Sequence, residues 1–159
     1  MERDIMEEKT FKTEWRDCAR ILATWLSGPV DLGDVNRWRD DLYDISTHIP
    51  AASQFKMLVD LRGYDVDQIA REVHQVQREI IPRFLAGYKF RVALLDLFEV
   101  GELSVPERNA VCTAVAHVHH DCNKMELYDQ SLGRPYEYFF CHIADAETWL
   151  AKIEDFITP

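Results

Sequence analysis

Residues 55–61, FKMLVDL, constrain this chain more than any others: a nearly unbroken apolar run that leaves through a polar turn at Arg62-Gly63. An apolar run of this length, bounded by turn residues, reads as a strand covered on both faces, and such strands belong to sheets flanked by helices. Residues 88–100, YKFRVALLDLFEV, repeat the pattern. They predict a second strand over 88–98, lying beside the first in the middle of the sheet. Helical periodicities precede and follow both stretches, so the expected class is α/β.

With 159 residues the chain fits one domain, 9–159, preceded by a flexible charged tail over 1–8. The formal charge of −10 opposes contact with phosphate backbones and anionic headgroups, and no run of Lys and Arg offsets it. Neither nucleic acid nor a membrane surface is an expected partner. The opening MERDIMEEKT lacks the basic-then-apolar order of a secretory signal. No apolar run approaches the roughly 20 residues that span a bilayer. Cys18, Cys112, Cys122 and Cys141 show no CxxC spacing, so the expectation is reduced thiols in a cytoplasmic protein.

Taken in order, Phe11, Thr13 and Trp15 alternate as in an edge strand over 9–15, and a turn at Asp17-Cys18 leads into a strand over 19–26. Val35, Trp38, Leu42 and Ile45 share one face of a helix opened by Gly33-Asp34. After the 55–61 strand, Ile69, Val73, Val76, Ile80 and Phe84 stripe a helix over 66–85, with Pro82 expected to end or kink its last turn. Beyond the 88–98 strand, Ser104-Val105-Pro106-Glu107 reads as a capping box, with Val111, Val115 and Val118 as the buried stripe of its helix. A short strand over 124–129, a turn over 131–135, a strand over 136–142 and a helix from Asp145 complete the chain. Ala146, Trp149, Leu150 and Ile153 point inward from that last helix. The predicted fold is a single mixed, mostly parallel sheet of five to six strands, begun by a hairpin, with four helices packed on it.

The passage 28–35, LVDLRG at 58–63, FRVALLD at 90–96 and ADAETWL at 144–150 together resemble the STAS-like proteins of the bacterial anti-sigma-factor-antagonist fold, in particular their stand-alone branch. The resemblance runs over 10–157, with 124–136 as an added segment. It implies a non-catalytic interaction or regulatory domain, a homodimer and protein partners. Antagonists of this family carry a phosphorylatable Ser or Thr just after the strand matching LVDLRG. This chain has GYDVDQI over 63–69, without a hydroxyl to phosphorylate, so the resemblance implies constitutive docking and no phosphorylation switch.

Other residues suggest chemistry by their own pattern. In HVHHDC, His117 and Asp121 stand four apart, with His120 beside them, as metal ligands on a helix would. On a solvated helix C-terminus the same histidines simply meet the dipole. Asp60 and Asp96 end two expected parallel strands, where open α/β sheets hold ligands, but the Lys that a phosphoaspartate site needs is absent. There is no nucleophile elbow or phosphate loop, and Cys112 reads as core. In YEYFF, Tyr136, Tyr138 and Phe140 share one face and Glu137 and Phe139 the other; either a helix covers each side, or the Tyr-rich face is a dimer contact or pocket wall. No catalytic residue and no cofactor are assigned. A small apolar ligand or lipid, held between sheet and helices near Tyr64, Phe84 and Trp149, is the second reading, and a metal-dependent enzyme built on 117–122 the third. The candidate ligand-binding residues are Arg62, Tyr64, Asp65, Asp96 and Trp149, with His117, His120 and Asp121 for a metal.

Overall fold

The N-terminal hairpin folds as its alternation predicts. In the computed structural model, which describes residues 8–88, 90 and 110–153, β1 (Thr10–Arg16) pairs antiparallel with β2 (Ile21–Ser27). Then follow α1 (Leu32–Ser46), β3 (Gln54–Asp60), a 3-10 turn at Val66–Gln68, and α2 (Arg71–Ala86). After them come β4 (Val111–Val118), α3 (Cys122–Leu132), β5 (Glu137–Phe140) and α4 (Ile143–Lys152). The strands stand in the order β1-β2-β3-β4-β5, with every pair after the first parallel. Among the described residues this is the expected mixed, mostly parallel α/β sheet with four helices on it.

Both faces of the sheet are covered. Leu22, Leu26, Phe55, Met57, Val59 and Val115 pack with Val35, Trp38 and Leu42 of α1 and with Val73, Ile80, Phe84 and Leu85 of α2. On the other face Ala23, Leu58, Ala114, Ala116 and Val118 meet Ala146 and Leu150 of α4. The alanines keep that layer thin, which brings α4 close to the strands. Two polar devices sit within the layers. Trp38 Nε1 donates to Thr24 Oγ1 at 2.7 Å, and Thr24 in turn meets Thr13 Oγ1 at 2.7 Å. Lys56, a charged residue in the middle of β3, points to the α4 face and donates from Nζ to the Leu150 and Ile153 carbonyls at the end of α4. A cation there satisfies acceptors that the helix leaves open and complements its dipole.

Several expectations are corrected. Residues 88–98, read as a strand, lie outside the described residues apart from Tyr88 and Phe90; the strands paired with β3 are β2 and β4. The Ser104–Glu107 box also lies outside the described residues, and Val111, Val115 and Val118, read as a helical stripe, form strand β4. A strand buried on both faces loses its alternation, and its apolar positions then match a helical spacing by chance. Residues 124–129 belong to α3 and form no strand; Asp121 caps that helix by accepting from the Lys124 N–H at 3.1 Å. Of α3, only Met125 is buried, so no apolar stripe announces it. The helix expected over 66–85 begins later, as α2 at Arg71 after the 3-10 turn, and runs through Pro82 to Ala86 with Gly87 as its C-cap. The expectation of four reduced thiols also fails, because Cys122 and Cys141 form a disulfide while Cys18 and Cys112 are free. Apart from Glu8, the expected tail lies outside the described residues, among which no helix is long and apolar enough to cross a membrane.

Candidate functional site

The turn after β3 places the first side chains of the site. Gly63 has φ +86°, and a Cβ there would run into the Ser27 side chain, so this turn favours glycine. Its carbonyl accepts from the Gly28 N–H at 3.0 Å, and its own N–H donates to His120 Nδ1 at 3.0 Å. The next residue, Tyr64, is buried, and its hydroxyl lies 2.9 Å from His74 Nδ1 on α2. The Tyr64 carbonyl accepts from His119 Nε2 at 2.8 Å, while His119 Nδ1 accepts from the Asp121 N–H at 3.1 Å. Those two bonds require the proton on Nε2 and a neutral ring. Burial pushes the His119 pKa down, and the neighbouring His120 and Lys124 add to that. His74 is also held down, by burial first and then by Lys124 and Arg78. Burial raises the Tyr64 phenol.

A second constellation joins β4 to β5. The Glu137 carboxylate is fully buried and accepts from His117 Nε2 at 2.9 Å and from Arg134 Nε at 2.9 Å. The His117 ring stacks on Phe139, with centroids 4.5 Å apart and planes 11° from parallel. The register explains the grouping, since His117 stands opposite both Val59 and Phe139 and all three point to the α2 face.

Between α2 and α3, above these strands, lies a cleft of about 240 Å³. Val59, His117 and Phe139 line it from the sheet, His74, Arg78 and Ile81 from α2, and Lys124, Met125 and Tyr128 from α3. It opens beside the C-terminal ends of β3 and β4, the end of a parallel sheet where ligands generally bind. Its volume lies just under the ~300–1,000 Å³ of common ligand clefts, so its fit is to a small molecule.

Of the residues named from sequence, Tyr64 lines this cleft, and so does His117. Arg62 points elsewhere, forking onto Asp60 through Nε and Nη2 at 2.9 and 2.8 Å on the side of Trp25 and Glu147. Asp65 caps the 3-10 turn by accepting from the Asp67 N–H, and Asp96 lies outside the described residues. Trp149 sits on the α4 face, edge-on to Tyr138 at 5.2 Å, while Phe84 is core against Tyr43 and Tyr88. Among the described residues, Tyr64, Phe84 and Trp149 therefore do not bound one cavity. Nor do His117, His120 and Asp121 share a helix face, because His117 is on β4, His120 turns to Gly63, and Asp121 begins α3. Cys112 is buried, its thiol is pushed up by that burial, and it donates to the Ala114 carbonyl, so it is not poised as a nucleophile.

Sequence reasoning missed Glu137, His74, Lys124 and Tyr128. One available signal was the shared face of Glu137 and Phe139, which becomes informative once 111–118 is read as a strand carrying His117. No protein-family model matches the chain, and comparisons with curated proteins and with solved structures also returned no match.

Proposed function

We propose that this chain is a small-molecule-binding domain whose ligand, a short apolar body carrying an acidic group, sits between α2 and α3. The observation that carries this reading is the lining of the cleft: Val59, Ile81, Met125 and Phe139 supply apolar surface, while Lys124 and Arg78 stand close enough to depress His74. The Lys124 ammonium at an apolar cleft, in a chain of formal charge −10, favours an anion against the average field of the protein. The neutral His119 has both ring nitrogens engaged in holding the turn, and Cys112 is packed away, which favours binding over catalysis.

Isothermal titration with octanoate and with octanol tests it. Octanoate binds once per chain and octanol more weakly, and Lys124→Glu lowers octanoate affinity about tenfold, or ~1.4 kcal/mol. Equal binding of both probes, or of octanoate by wild type and variant, rejects the acidic-group requirement. If neither probe binds, the ligand reading itself fails.

A second reading, constitutive protein docking as in the STAS-like family and as a homodimer, is favoured by a different observation. Trp25, Tyr138, Phe140 and Trp149 remain half-exposed around α4. Light scattering at micromolar concentration tests the dimer, and a monomeric mass argues against it.

A further inference from the structure

Three side chains with metal-binding chemistry converge away from the cleft. Cys122 opens α3, Cys141 follows β5 directly, and His142 is the N-cap of α4, with no capping hydrogen bond from its side chain. Their two Sγ atoms and one imidazole nitrogen lie within 4.8 Å of one another. Cys122 and His142 are exposed and Cys141 is half-buried, so solvent and solutes reach the group.

We infer that Cys122, Cys141 and His142 form a redox-gated zinc site, closed to metal as the disulfide and opened by reduction. A thiol reductant supplies two electrons and two protons. The S–S bond breaks, each cysteine becomes a thiol, and the reductant leaves as its own disulfide. Zn²⁺ then displaces both thiol protons to solvent and accepts the lone pair of neutral His142, leaving its fourth position to water. The geometry needs little rearrangement. Zinc–thiolate bonds of ~2.3 Å place two sulfurs roughly 3.8 Å apart on a tetrahedral ion. Cysteines whose Cα atoms are 4.9 Å apart reach that spacing by rotation about χ1, with the backbone in place.

Local electrostatics act in the same direction. Cys122 stands in the first turn of α3, and Cys141 and His142 precede the first turn of α4. Helix N-termini stabilise thiolates over thiols, which is the ionisation a thiolate ligand requires. A disulfide serving only to tie α3 to the end of β5 gives no role to the His142 imidazole, and that difference separates the two roles experimentally.

The test uses the full chain, reduced with a phosphine, desalted anaerobically and titrated with Co²⁺ and then Zn²⁺. One equivalent of Co²⁺ binds with a thiolate-to-cobalt charge-transfer band that Zn²⁺ bleaches, and the oxidised chain gives no band. His142→Ala, which retains both cysteines and the disulfide, lowers the reduced chain's zinc affinity at least about tenfold, and C122S/C141S abolishes the band. Thermal unfolding of the oxidised His142→Ala chain verifies its fold. Absence of metal binding in the reduced wild type overturns the inference, as does zinc affinity unchanged in His142→Ala or a band that survives in C122S/C141S.

Discussion

His117 donates from Nε2 to the Glu137 carboxylate at 2.9 Å, tying β4 to β5 beneath the cleft. A fully buried carboxylate is costly unless its oxygens are engaged, and here His117 takes one and Arg134 the other. His117→Phe preserves the stack on Phe139 but removes a donor from a buried acceptor. The expected loss is roughly 1–3 kcal/mol in urea unfolding. A loss within ~0.5 kcal/mol, the range of ordinary surface changes, means that the pair does not brace the floor of the cleft.

Acid weakens the neutral-histidine hub. The His119 and His74 pKa values are depressed in the folded state, so the unfolded chain binds their protons more readily. Their stabilisation is complete above the unfolded value of about 6.5 and is lost as pH falls through the lower folded values. Unfolding free energy should decline from about pH 7 to 5, with a shallower decline in His119→Asn. An unchanged slope in that variant assigns the decline to other groups.

A separate acid-sensitive element lies at the start of α1. Asp34 and Asp31 cap each other's backbone N–H groups at 2.9 and 2.8 Å. Burial alone raises the Asp34 carboxyl, but the Asp31 N–H and the Lys9 ammonium at 2.9 Å outweigh it and hold the pKa at about 2. A depressed carboxylate stabilises the fold above its unfolded pKa of about 4 and loses that contribution as pH falls toward 2. Asp34→Asn should cost up to ~2 kcal/mol at neutral pH and progressively less as pH falls from about 4 through ~2. A cost independent of pH contradicts the charge assignment.

Lys56 tests the clasp between the sheet and α4. Lys56→Met retains the buried stem and removes the ammonium from the Leu150 and Ile153 carbonyls. Charged hydrogen bonds of this kind are worth ~1.5–3 kcal/mol, so stability should fall by roughly 2 kcal/mol. Amide exchange in the last turn of α4 should rise with it. Exchange that is unchanged there excludes the clasp.

What could be read in advance followed the strength of local periodicity. Phe11, Thr13 and Trp15 alternate because β1 is an edge strand with one wet face, and Val35, Trp38 and Leu42 recur because α1 has one buried side. These elements were legible. β4 was not, because it is covered on both sides and Val111, Val115 and Val118 then imitate a helix. α3 was hidden for the opposite reason, since a helix that buries only Met125 has no stripe to detect. At the site, Tyr64 was visible from its place after the LVDLRG turn. Glu137 facing His117, and Cys122 facing Cys141 across 19 residues, are products of strand register and chain return, which no local spacing encodes.

A ligand held between α2 and α3 would register in the methyl resonances of methionine-labelled protein titrated with octanoate. Met125 lines the cleft, whereas Met57 is fully buried on β3 and does not line it. Binding there gives a saturable shift of the Met125 methyl with Met57 unmoved. A silent Met125, or equal shifts at both, contradicts it.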